Sequence, residues 1–291
     1  MSNPSNRLIN TTDNQRTEIR KAIENDNCAH NEKVWTYFIA HLILQSSNKK
    51  QLLEKFLGGD PITETCVKKM EIWYEAQPIS PRKGVSGNSE GNTCLDMSFG
   101  AIKKRENTGG GIEFSPKNDC SWACFIEAKV LSDCSTDVSY DPFRNQITRV
   151  IENLVTFQNA IEKSSYPNPC YFTLLTPRAF KKRPYSKLYG YKYFEYHDWR
   201  RIEQDFKLCC IDERKENQWE YPKYISKRLS TLKLNWVTYE EIIEQALKIK
   251  EFDLLEFIKL KSTNKSLGTK EGLSLEENLE KIKDEITKYG K

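Results

Sequence analysis

Cys120-Ser121-Trp122-Ala123-Cys124-Phe125-Ile126-Glu127-Ala128-Lys129-Val130 is the stretch that decides the fold. Trp122 to Ile126 form an apolar run of strand length, and the run closes on a carboxylate, a small residue and an amine. Strand alternation puts Glu127 and Lys129 on one face, roughly 6–7 Å apart along the chain. Burying two such charges is costly, so they need a partner or a task. A second carboxylate, Asp96, stands inside another apolar segment, Thr93–Ile102, 31 residues before Glu127. Two carboxylates and a lysine converging on neighbouring strands make a divalent-cation site with an amine beside it, an apparatus for metal-assisted phosphodiester hydrolysis.

The bare (D/E)-x-K pattern occurs three times, at Glu127-Ala128-Lys129, Asp205-Phe206-Lys207 and Glu213-Arg214-Lys215. Asp205 falls in a helical pattern, Trp199–Leu208, and Glu213 in a polar loop. Only Glu127 ends an apolar strand with a carboxylate-bearing strand upstream. The bland alternative is a structural ion pair between Glu127 and Lys129, with Asp96 capping a turn.

With Asp96 and Glu127-Ala128-Lys129 in this order, the chain resembles the PD-(D/E)XK nuclease superfamily, over roughly residues 70–245. In that pattern a helix with an acidic residue precedes a hairpin carrying the aspartate. The (D/E)-x-K strand follows, then a long helix, a further strand and a closing strand–helix. Glu71 and Glu75 are read here on a helix before the first strand, and Leu95 replaces the proline before Asp96. The later parts are a helix from Asp141, the strand Cys170–Thr176, and Leu234–Glu241 leading into the last helix. The resemblance implies an α/β fold with a restriction-endonuclease-like mixed central sheet flanked by helices. It implies that Asp96, Glu127 and the Ala128 carbonyl hold Mg²⁺, with Mn²⁺ a substitute, and that Glu71 or Glu75 adds a ligand or a second metal. Lys129 would act on the bound water or on growing charge. Gln146 lies 17 residues after Lys129, on the long helix, where some members carry a glutamine. Val150 stands where the exonuclease subgroup adds a tyrosine. DNA is the implied substrate, and an endonuclease of restriction or anti-phage defence the implied role. The rival reading is a catalytically silent nucleic-acid-binding or assembly protein with the same fold.

Composition narrows the rest. Three histidines in 291 residues disfavour histidine-based zinc and His-centred acid–base chemistry. Nine cysteines without C-x-x-C spacing read as reduced thiols of a cytoplasmic protein. The run Tyr37–Leu44 is far shorter than the ~20 residues of a membrane span, and the first ten residues lack a signal-peptide core. Gly87-Asn88-Ser89-Glu90-Gly91 matches G-x-S-x-G formally, but its flanks are polar loop rather than strand and helix.

A net charge of +4 leaves any nucleic-acid surface local. Residues 178–201 interleave lysine and arginine with tyrosine and tryptophan. Lys181, Lys182 and Arg183, read as an exposed turn before Pro184, are candidate phosphate contacts, as is Arg149 beside Gln146. Residues 1–60 read as an N-terminal helical extension, 61–250 as the nuclease core and 251–291 as a charged helical tail. The helical ends suit a protein partner, a second copy of the chain included.

Overall fold

A computed structural model describes residues 9–10, 17–18, 21, 31–81, 93–117, 119–135, 144–159, 165–208 and 224–247. The tail at 251–291 and the G-x-S-x-G match lie outside these residues, and the helix expected from Asp141 begins at Gln146, where the extended Asn145 caps it.

Ile9–Asn10 (β1) pairs parallel with a later strand. Glu32–Gln45 (α1) starts at Asn31, whose side chain accepts from the N–H groups of Lys33 and Val34, satisfying donors that a helix start leaves open. Its apolar residues Trp35, Phe38, Ile39, Leu42 and Ile43 are buried. Lys49–Phe56 (α2) stops where Gly58 and Gly59 take positive φ. Glu64–Lys69 (α3) follows, capped by the Thr63 hydroxyl accepting from Cys66 N–H.

The helix expected through Glu75 ends earlier. Met70 is already extended, and Ile72–Ala76 is a strand, β2. Ile72, Trp73 and Tyr74 are successive β-branched and aromatic residues, which fit a pleated surface better than a helix. Leu95–Gly100 (β3) continues into a short ribbon of Ile102–Lys104 (β4) and Ile112–Phe114 (β5). Ala123–Ala128 (β6) is buried throughout. Gln146–Val155 (α4) then leads to Cys170–Thr176 (β7), also buried throughout.

Among the described residues, four short α-helices intervene before the last strand: Arg178–Lys182 (α5), Leu188–Glu195 (α6), Trp199–Leu208 (α7) and Ile225–Leu229 (α8). Lys233–Thr238 (β8) and Tyr239–Leu247 (α9) complete the described chain.

The main sheet is mixed, in the order β1-β2-β3-β6-β7-β8. β2, β3 and β6 pair antiparallel, whereas β6, β7 and β8 run parallel. Both faces are covered, which explains the unbroken apolar runs of β6 and β7. On one face Phe56 of α2 meets Phe99 edge-on, with centroids 5.9 Å apart, and its carbonyl accepts from the Thr173 hydroxyl. On the other, Phe157 after α4 packs 5.1 Å from Phe125. One hydrophobic core runs from Val34 to Ile243. The extension drawn over residues 1–60 therefore contributes α1 and α2 to the same core as the sheet. Six described cysteines are free thiols. Among the described residues no helix is long and apolar enough to cross a membrane.

Candidate active site

Strand register brings the charges together. Met97 pairs with Ile126 in the β3–β6 ladder, and one step further sets Asp96 opposite Glu127. Directly opposed residues of an antiparallel pair share a face. The Lys129 N–H still donates to Leu175 O of β7, so alternation carries on to Lys129. Asp96 is half-buried and its Oδ2 accepts from the Ala128 N–H at 2.7 Å. Glu127 and Lys129 are 1% and 4% exposed, so neither charge is solvated. Lys129 Nζ lies 2.8 Å from Glu127 Oε1. The contact is an ion pair rather than an aligned hydrogen bond, since that buried oxygen has no well-directed donor.

Burial pushes Asp96 well above the usual carboxylate range, and the charge of Glu127 pushes it further. Glu127 is raised by burial and pulled back by Lys129. Burial alone would lower Lys129, but Glu127, Asp96 and Glu32 together outweigh it and hold its pKa above the ordinary lysine value. The lysine is thus a fixed cation beside two carboxylates that give up protons reluctantly.

The third carboxylate, Glu32, was missed in the sequence. It opens α1, and its Oε1 is 3.5 Å from Lys129 Nζ. Its Oε2 accepts from Val130 N–H at 3.1 Å and from the Ser132 hydroxyl at 2.7 Å. Glu32 therefore clasps the chain just past the strand end. The available signal was local: an asparagine cap followed by an acid in the first turn, where the helix dipole favours negative charge. Tyr189 was also read only as one ring among many. It is fully buried, its hydroxyl has no hydrogen-bond partner among the described residues, and the charges of Asp133, Lys129 and Glu32 all act on it.

The other expected residues fall in several places. Glu75 lies on β2 rather than a helix, between pairs that set it level with Asp96, and its φ is +46°. Its side chain reaches Lys33, 3.1 Å away. Glu71 is exposed at the opposite end of β2, next to Ile72, which pairs with Phe99. Strand geometry in place of a helix separates the two acids by the length of β2, so Glu71 is removed from the site. Gln146 opens α4, where its Oε1 accepts from Ser135 N–H at 3.3 Å, holding the loop that leaves Lys129. Arg149, one turn on, donates through Nε to the Thr93 hydroxyl at 3.0 Å, and its charge favours ionised Glu127. Lys181 is not in an exposed turn. It sits on α5, half-buried, and donates to Trp236 O at 2.6 Å and to Glu241. Lys182 and Arg183 are exposed.

Among the described residues no three His, Cys, Asp or Glu side chains are grouped as ligands for one metal ion. No protein-family model, curated protein or solved structure matches the chain.

Proposed function

We propose that the chain is a metal-dependent nuclease of the PD-(D/E)XK type that hydrolyses phosphodiester bonds of DNA. The observation that supports this most is the buried Glu127–Lys129 pair opposite Asp96 at one end of a mixed sheet. The donors suit a hard cation. Both carboxylates are raised by burial, Asp96 further by Glu127, and Glu127 Oε1 is buried without an aligned donor, all of which a cation would relieve. Asp96, Glu127 and the main-chain oxygen of Ala128 would hold Mg²⁺ or Mn²⁺. When bound, such an ion supplies a polarised phosphate oxygen and a more acidic water.

The protein's own groups do the rest. Lys129 keeps its proton, so its ammonium can meet charge growing on the phosphoryl oxygens. Glu127 and Glu32 hold that ammonium from two sides, so little reorganisation accompanies the reaction. Arg149 adds a second positive charge near Glu127. An endonuclease of restriction or anti-phage defence is the role we favour, by analogy with the superfamily.

The test is incubation of supercoiled plasmid, linear duplex and single strands with Mg²⁺, Mn²⁺ or chelator. Cleavage should require metal and fall more than about a hundredfold in Lys129→Ala and in Asp96→Asn. Wild-type rates in Lys129→Ala would overturn the mechanism. A silent binding protein is the second reading. It is favoured by the Ala128 N–H already occupying Asp96 Oδ2 and by the lack of a three-ligand cluster among the described residues. Binding without cleavage under every metal tested would select it.

A further inference from the structure

The tyrosines of residues 178–201 separate into two faces. Tyr189 and Tyr196 are buried, and Tyr193 packs 5.1 Å from the Trp236 ring. Tyr185, Tyr191 and Phe194 are 59%, 54% and 44% exposed, and Phe194 also touches Trp236, with centroids 6.3 Å apart. These three exposed rings form one cluster. Tyr185 lies 5.0 Å from Tyr191 and 5.6 Å from Phe194, centroid to centroid. His197 extends it, stacked on Phe194 with planes 21° apart. A contiguous exposed aromatic patch on a protein surface marks an interaction site more often than chance.

Two observations say what covers it. The first is charge. Residues 178–201 carry eight lysines and arginines, of which Arg178, Lys181, Lys192 and Arg200 are paired with carboxylates. Lys182 and Arg183, directly before the turn that presents Tyr185, are exposed and make no ion pair among the described residues. The second is position. Lys187 Nζ donates to Leu131 O at 2.8 Å, and Asp133 accepts from Leu188 N–H at 2.8 Å and Tyr189 N–H at 3.3 Å. Leu131 and Asp133 belong to the loop that leaves Lys129, so α6 is anchored at the edge of the candidate site.

We propose that Tyr185, Tyr191 and Phe194 form a stacking platform for unpaired bases, so that the nucleic acid engaged beside Lys129 carries a single-stranded segment. Rings stack on any base whose face is open, and cations hold the phosphates between. A duplex hides its base faces, so the platform discriminates strand state rather than sequence. The proposal deepens the nuclease reading by naming the substrate class and rests on it only for cleavage, since binding is measured separately.

The experiment uses the full chain in chelator and follows fluorescence anisotropy of three probes: a short oligothymidylate, an abasic strand of equal length, and a blunt duplex. The triple variant Tyr185→Ala, Tyr191→Ala, Phe194→Ala should bind oligothymidylate at least about tenfold more weakly, as loss of base stacking implies. It should bind the abasic strand and the duplex as the wild type does. A Tyr185→Trp, Tyr191→Phe variant should restore tight binding. An equal affinity of triple variant and wild type for oligothymidylate would overturn the platform. So would a wild-type dimer that the triple variant abolishes, because the rings would then be a self-association face. If the wild type cuts nothing with any metal while ring-dependent binding persists, the platform stands and the nuclease reading falls. If it cuts DNA while binding ignores the rings, the reverse holds.

Discussion

Lys129 and Lys181 were both singled out in the sequence as functional lysines, and the structure treats them oppositely. Lys129 is 4% exposed and held by Glu127 and Glu32. Lys181 is paired as well, with Glu241 and the Trp236 carbonyl, but its side chain is 37% exposed. A charge that interrupts an apolar strand carries a large burial cost, so its presence is informative. A charge on a helix near the surface costs little, so its neighbours in sequence say little about its partners.

Removing Lys129 should show the largest effect. Lys129→Ala leaves Glu127 and Asp96 buried without their cation, a loss of about 3–5 kcal/mol when one member of a buried pair is taken away. With Lys129 gone, both carboxylates hold protons more tightly in the folded chain than in the unfolded one. The variant's stability is then greatest below the ordinary carboxylate range and falls as pH rises through the raised folded values. Urea denaturation near pH 5 and near pH 8 should show a deficit that grows with pH. A deficit independent of pH would mean that packing, not charge, holds Lys129 in place.

Gly190→Ala comes next and asks how firmly the aromatic segment is built. A Cβ at Gly190 would lie 1.7 Å from Pro184 O, in the turn that carries Tyr185. The usual gain of up to about 1 kcal/mol for alanine in a helix loses to that clash, and a net cost of about 1–3 kcal/mol is expected. A thermal midpoint at or above the wild type would show that the turn swings away freely.

Asp96→Asn should move stability the other way. In chelator it removes one of two carboxylates that resist ionisation together, while its side-chain oxygen can still accept from Ala128 N–H. The thermal midpoint should rise by about 2–4 °C near pH 8, as a gain of roughly 1 kcal/mol would give in a chain of this size, and by less near pH 5. Added Mg²⁺ should stabilise the wild type and leave Asp96→Asn unmoved.

The smallest effect is expected at Lys181. Lys181→Ala should cost about 0–1 kcal/mol, the range of a partly exposed ion pair. Lys182→Glu with Arg183→Glu should leave folding intact and weaken DNA binding at low salt, with the difference shrinking as salt rises. Binding unchanged at low salt would reduce the contrast to one of stability alone.

Legibility in the sequence follows the same physics. β6 and β7 were readable because buried strands leave long apolar runs with clear ends. Asp96, Glu127 and Lys129 were readable because charges break those runs. β2 was misread because Val67, Met70 and Tyr74 satisfy helical spacing while Ile72–Tyr74 satisfies a strand, and only pairing with β3 settles the choice. Glu32 was unreadable as a site residue because its partners lie about a hundred positions away, and nothing in a local window records such a contact. The two faces of α6 escaped notice because tyrosine suits a wet surface and a core equally well.

The Glu32 clasp has a consequence in time. Its bonds to Val130 and Ser132 span 98 and 100 residues. A ribosome releases Glu32 long before it has made either partner, so Lys129 gains its second carboxylate neighbour only after β6 has emerged and docked. Chain fragments that end before that strand carry α1 and Asp96 but no assembled centre. Any reactivity of this site therefore requires a chain that extends past β6 to Ser132.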